Sequence, residues 1–186
     1  MMRAGYKFAL AALLLSSSLA TEAQPMPFDP ATVDLAEVLA CKIDGGHYVG
    51  FALSISDSDS PGSAKARGWV KLPTRSMFFS SYLLSKPLGV FGYTTSTVAF
   101  TGTAMFAVLD LPDPTALGAA QNIANILEGS GQFRGERLVD ESINMDKESG
   151  FSFKNRSSLQ IATNPAFPGK TLIGCNYDGE LQLPAP

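Results

Sequence analysis

KTLIGCNYDGELQL, residues 170–183, is the stretch that decides the fold. Apolar residues alternate with small or polar ones along it, as they do in a strand. It carries Cys175, one of only two cysteines in the chain, and the other, Cys41, lies near the opposite end. Two cysteines in an exported protein usually pair. We therefore predict a structural disulfide between Cys41 and Cys175 that joins the two ends of the domain.

A redox-active role is the alternative for the two cysteines. Neither belongs to a C-x-x-C motif, the arrangement that lowers a thiol pKa in redox enzymes.

The segment 38–41 also resembles a lipoprotein processing box. Asp34 and Glu37 separate it from the apolar N-terminal run, whereas such a box must follow that run directly. We expect no lipid or membrane anchor.

The N-terminus has the composition of an export signal. Arg3 and Lys7 provide a positive start, and residues 8–15 form an unbroken apolar core followed by small residues. This apolar run is too short to cross a bilayer, which takes about 20 residues. A buried N-terminal helix is the alternative interpretation.

We predict cleavage after Ala20 or Ala23, so that residues 1–23 are a signal peptide. Residues 24–186 then form a single domain in the periplasm or outside the cell. The whole chain carries a net charge of −3 and has no basic cluster. Nucleic acid is therefore not expected as a partner.

Helix signals come mainly in the first part of the chain. Asp29 followed by Pro30 is a standard helix start, and we expect that helix to stop at residues 44–46. A short helix is expected over residues 61–67, before Gly68. Residues 48–55 fit a strand and a helix equally well.

A third start signal, Asp113-Pro114, predicts a helix that ends at Gly129. The other segments are short β-branched and aromatic runs separated by proline and glycine. The predicted strands cover residues 69–72, 78–84, 88–93, 97–101, 105–111, 133–145, 151–153, 158–163 and 171–183. This pattern predicts an α+β fold, a mostly antiparallel sheet packed with about three short helices.

No catalytic or metal motif is complete. His47 is the only histidine, so any triad would have to recruit it. Asp57 and Asp59 resemble the start of a calcium loop, but Gly68 occupies the position that requires a glutamate. Residues 129–135 have the wrong glycine spacing for a phosphate loop. We predict no catalytic, metal or cofactor site from these motifs.

Two other features have more than one interpretation. The acidic stretch 136–148 could supply a pair of catalytic carboxylates, although a solvated outer face is the commoner arrangement. Asn155 opens a glycosylation sequon, which matters only in a eukaryotic host.

Aromatic residues are concentrated in the first part of the β region. Most are expected in the core, and those that emerge on one face would mark a partner surface. The candidates for that surface are Trp69, Phe78, Phe79 and Tyr82. We predict an exported, non-enzymatic protein that binds another protein, for example as an inhibitor or neutraliser in the cell envelope. A small-ligand carrier with an apolar pocket is the alternative, and a carboxylate- or serine-based hydrolase is the third.

Overall fold

A computed structural model of the chain describes residues 28–73, 76–145 and 151–182. Within these ranges, seven strands form one antiparallel sheet accompanied by three α-helices and a 3₁₀ turn at Pro30–Thr32. The α+β prediction is confirmed. The helices are α1 (Leu35–Leu39), α2 (Gly45–Ser56) and α3 (Thr115–Gln121). The strands are β1 (Val70–Leu72), β2 (Ser80–Val90), β3 (Tyr93–Phe100), β4 (Ala104–Leu109), β5 (Arg134–Met145), β6 (Ser152–Thr163) and β7 (Thr171–Gln182).

The sheet is two antiparallel meanders that meet in the middle. Its strand order is β1-β2-β3-β4-β7-β6-β5, and every neighbouring pair is antiparallel. The chain leaves β4 through α3, reaches the far edge at β5 and returns to the centre with β7. Cys175 of β7 therefore lies between Met105 of β4 and Leu159 of β6. The last strand of the chain is a central strand of the sheet.

The main core lies between the helices and one face of the sheet. Tyr48 and Phe51 of α2 are fully buried in this core, and so are Val38 and Leu39 of α1. Burying each large apolar side chain stabilises the fold by about 1.5–3 kcal/mol. This face of the sheet is called the helix face below.

The predicted disulfide is confirmed. Cys41 and Cys175 are bonded across 134 residues of sequence, and both are buried. Cys41 follows α1 in a left-handed conformation (φ 58°), which turns its side chain from the end of the helix toward β7. The bond fixes the helical layer onto the central strand.

The first helix is shorter than predicted, and Asp44 begins a helix where we expected one to stop. The Asp44 carboxylate accepts a hydrogen bond from the backbone N–H of His47 at 2.9 Å, which is an N-cap interaction. The ambiguous residues 48–55 are therefore helical. Asp29 caps only the 3₁₀ turn, accepting from the N–H of Ala31 at 2.9 Å.

Two other helix predictions are wrong. α3 ends at Gln121 because Asn122 adopts a left-handed conformation (φ 56°), so Ile123 turns into the core. Residues 61–67 form successive turns and no helix. The Arg67 guanidinium holds these turns by donating to the carbonyl oxygens of Pro30 and Gly62.

Candidate functional site

The second face of the sheet is largely open. In β4, Met105, Ala107 and Leu109 point to the helix face, and the alternate residues point away from it. Those alternate residues join a smaller apolar cluster, which consists of Ala99, Ala104, Phe106, Val108 and Leu172. None of the three described helices contributes a buried residue to this cluster. We call this side of the sheet the open face.

One loop covers part of the open face and creates a groove beside it. The loop between β6 and β7, residues 164–170, places Phe167 over the small cluster. The Phe167 ring contacts the Phe79 ring edge to face, with centroids 5.2 Å apart. Next to this aromatic pair lies a groove with a volume of about 560 Å³. Its apolar walls include Leu72, Pro87 and Val108.

Irregular pairing of β2 and β3 shapes the groove. The β2–β3 register shifts between Leu83 and Leu88, and Pro87 sits in that irregularity as a lining residue. We predicted that Pro87 would separate two strands. Instead β2 continues, because a bulge tolerates a residue without a backbone N–H.

A side-chain hydrogen bond from Thr95 connects β3 and β4 beyond the end of their backbone ladder. The ladder itself runs only from Val98 paired with Ala107 to Phe100 paired with Met105. Beyond it, the buried Thr95 hydroxyl donates to the carbonyl oxygen of Val108 at 2.6 Å and accepts from the N–H of Thr97 at 3.0 Å. The side-chain bridge keeps β3 attached to β4 while leaving hydroxyl-bearing residues along the groove.

Several residues with hydroxyl groups line the groove. Ser81 lines it, and the Ser81 hydroxyl oxygen is buried without a hydrogen-bond partner among the described residues. Thr94, Ser96 and Thr97 also line the groove. A hydroxyl can both donate and accept, so this lining suits a polar group of either kind.

An ion pair stands at the rim of the groove. The Lys170 ammonium group contacts the Asp110 carboxylate, and both residues line the groove. The Asp110 side chain is 90% exposed and the Lys170 side chain 39% exposed, so the pair is open to solvent. Of the described lining residues, only these two carry a charge.

The four aromatic residues proposed as a partner surface occupy three different environments. Trp69 and Tyr82 are buried in the main core, with ring centroids 6.1 Å apart, so they pack the fold. Burial also raises the pKa of Tyr82. Phe79 lies in the groove wall. Only Phe78 projects into solvent, 74% exposed beside the 92% exposed Met77.

The remaining candidate residues have local structural contacts. The His47 imidazole pairs with the Asp44 carboxylate in the first turn of α2 and stacks on Phe28, with ring centroids 4.5 Å apart. The Asp57 carboxylate accepts from the N–H of Asp59, as in an ordinary turn. No group of three potential metal ligands occurs within the described ranges.

The acidic stretch lies mostly on the exposed edge strand β5. Glu136 accepts hydrogen bonds from Arg156 and Gln160, each at 3.0 Å, and Glu141 pairs with Lys154 at 3.1 Å. Residues 146–148 of this stretch lie outside the described residues. Asn155 lies within β6, and the sequon serine, Ser157, is buried there. These carboxylates form a solvated network on the sheet and do not face the groove.

Sequence reasoning missed the groove. Its floor and walls come from β2, β3, β4 and the 164–170 loop, so no short motif contains them. The run of four hydroxyl residues at 94–97 inside a strand was the one local signal. Comparison with protein-family models, with curated proteins and with solved structures found no match to this chain.

Proposed function

We propose that this protein is an exported, non-enzymatic binding protein whose ligand is a small molecule with an apolar body, held in the groove. The observation that carries this proposal is the groove itself. Its volume of about 560 Å³ lies within the usual range for ligand sites, about 300–1,000 Å³.

The chemistry of the groove favours binding over turnover. A serine or threonine nucleophile needs a base within hydrogen-bond reach. Of the described lining residues, only Asp110 and Lys170 have an ionisable side chain, and they pair with each other at the rim. The Thr95 hydroxyl is already engaged with the backbone. We therefore assign the groove hydroxyls to ligand recognition.

Blocking the groove tests this proposal. Thr97→Trp should fill the groove and weaken binding of the fluorescent apolar probe N-phenyl-1-naphthylamine at least tenfold. Ser142→Trp on the exposed strand β5 is the matched control and should leave the affinity unchanged. Circular dichroism would establish that both variants fold. Equal binding by folded Thr97→Trp and wild-type protein would contradict the proposal.

Export is part of the same proposal. The predicted signal peptide, residues 1–23, lies outside the described residues. The buried disulfide supports export because such bonds persist in oxidising compartments. In the described part of the chain, no helix is long and apolar enough to cross a membrane. Mass spectrometry of the protein from the envelope or medium should give an N-terminus at Thr21 or Gln24, and an intact Met1 there would contradict export.

Binding to another protein is the second candidate function. The adjacent side chains of Met77 and Phe78 are the most exposed large apolar residues in the described chain, and exposed aromatic residues often anchor protein interfaces. Phe78→Ser should then abolish capture of a specific partner from envelope extract. Ile126→Ser, which removes another exposed apolar side chain, should retain the partner. Retention by both variants would contradict this role for Phe78.

A further inference from the structure

We infer that the groove selects uncharged amphiphiles, molecules with an apolar body and a neutral hydrogen-bonding group, and that Asp110 excludes anionic ones. This inference rests on the proposed function of the groove. It adds the chemical class of the ligand and the residues that set it. Three observations support it: the orphaned hydroxyl of Ser81, the apolar walls, and the internally neutral rim.

The Ser81 hydroxyl identifies where the polar group of the ligand binds. Ser81 is 3% exposed, and its oxygen has no hydrogen-bond partner within the described residues. A buried hydroxyl without a partner is unfavourable, because it has lost its hydrogen bonds to water and gained none. A ligand hydroxyl, carbonyl or amide at this point of the groove would restore the missing bond.

The apolar body of the ligand would lie against the walls. Phe79 and Phe167 contact each other edge to face in the groove wall, and Pro87 and Val108 also line the groove. An extended apolar chain or ring system would remove these side chains from water. The polar group would then reach Ser81 while the apolar part occupies the rest of the groove.

The ion pair at the rim selects ligands by their charge. Lys170 is the only cation among the described lining residues, and its ammonium group already contacts Asp110. An anionic ligand would have to compete with this carboxylate for the Lys170 ammonium group. A cationic ligand would meet the Lys170 ammonium group. A neutral ligand meets neither penalty, so the ion pair acts as a charge filter.

The test compares two ligands of equal chain length. N-phenyl-1-naphthylamine would be bound to the full mature protein at pH 8 and displaced by 1-decanol or by decanoate. We expect 1-decanol to displace half of the probe at a concentration at least tenfold lower than decanoate does. Asp110→Asn should then lower the decanoate concentration about two- to fivefold, as expected for an exposed ion pair, and leave the 1-decanol concentration nearly unchanged.

Matched variants separate the groove from general effects. Glu141→Gln removes the same charge from an ion pair with Lys154 outside the groove, so it should leave both competitors unchanged. Ser81→Ala should raise the 1-decanol concentration that displaces half of the probe about three- to tenfold. Ser158→Ala should have no such effect, because Ser158 is also buried without a partner but does not line the groove.

The outcomes distinguish this inference from the proposed function. If the probe does not bind, or neither competitor displaces it, the proposed function fails. If both competitors displace it but decanoate is as effective as 1-decanol, the groove binds ligands and the charge filter is wrong. An Asp110→Asn variant with the wild-type ratio of the two competitors would also overturn the filter. An unchanged 1-decanol affinity in Ser81→Ala would overturn the role of Ser81.

Discussion

The two faces of the sheet have different packing and different polar chemistry. On the helix face, Tyr48, Phe51 and Leu39 are sealed under helices, and the disulfide fixes that layer to β7. On the open face, a loop covers only a small cluster, and hydroxyls and ion pairs remain near solvent. We interpret the helix face as the main source of stability. The open face can then retain polar side chains, such as the unpaired Ser81 hydroxyl, that do not contribute to packing. The predictions below test this division of roles.

The largest effect is expected from the disulfide on the helix face. Replacing both Cys41 and Cys175 with Ala should lower the free energy of unfolding by about 2–5 kcal/mol, because the bond closes a loop across 134 residues. Urea unfolding of the variant and the wild-type protein measures this. Alanine is preferred to serine because both positions are buried. A loss below about 1 kcal/mol would show that packing, without the bond, holds the helices in place.

The rings of Tyr48 and Tyr177 stack on the helix face with centroids 4.4 Å apart, and this buried pair should make the fold sensitive to alkali. Burial raises the pKa of both Tyr48 and Tyr177, and for Tyr177 the charges of Tyr48 and Asp44 add to the effect. Because the folded-state pKa is raised, this stability is complete below the unfolded-state pKa of about 10. It is lost as the pH rises further, at about 1.4 kcal/mol per tyrosine and pH unit.

Two substitutions check the alkaline effect by urea unfolding between pH 8 and pH 11. Tyr48→Phe should reduce the loss above pH 10. At pH 8 it should leave the free energy of unfolding unchanged or raise it by up to about 1 kcal/mol, because the buried Tyr48 hydroxyl has no partner among the described residues. Tyr177→Phe should also cost about 1 kcal/mol at pH 8, since its hydroxyl donates to the carbonyl oxygen of Val38 at 2.6 Å. An unchanged alkaline profile in both variants would refute the assignment.

On the open face, two substitutions are expected to raise the free energy of unfolding, by a smaller amount than the losses above. Ser81→Ala and Ser158→Ala each remove a buried hydroxyl that lacks a partner within the described chain. Each should raise the free energy of unfolding by up to about 1 kcal/mol. Thermal unfolding without ligand measures this gain. If Ser81→Ala lowered the free energy of unfolding by a similar amount, the Ser81 hydroxyl would stabilise the fold. The idea that this hydroxyl is kept for ligand binding at a cost in stability would then be wrong.

The smallest effect is expected for the exposed ion pair between Glu141 and Lys154. Both side chains are about a third or more exposed, so solvent screens the attraction. A double-mutant cycle with Glu141→Gln and Lys154→Met should give a coupling free energy of no more than about 0.5 kcal/mol. A coupling above 1 kcal/mol would mean that the charged part of the open face also stabilises the sheet.

The elements of the helix face were largely predictable from the sequence. Alternation within residues 170–183 predicted β7, and two cysteines in an exported chain predicted the bond. Residues 48–55 were undecided because Val49 and Leu53 are apolar yet exposed, which blurs the helical pattern of Tyr48, Phe51 and Ile55. The cap at Asp44 was the deciding signal, and we had interpreted it as a stop.

The open face could not be predicted in the same way. Ser81, Thr97 and Phe167 meet only because of the strand order and the register shift near Pro87. Both depend on the whole sheet and leave no local pattern in the sequence. Trp69 and Tyr82 were also predicted wrongly, but for another reason. As aromatic residues they were candidates for a partner surface, yet tertiary packing places both in the core.

The central position of β7 also determines when the chain can fold. During synthesis Cys41 emerges early, and its partner follows only after another 133 residues. Until then β4 and β6 lack the strand that joins them, and the first thiol has no intramolecular mate. Because the chain has only two cysteines, it cannot form a wrong internal bond during this interval. The bond between Cys41 and Cys175 can therefore form only once β7, the strand that joins the two meanders, is present.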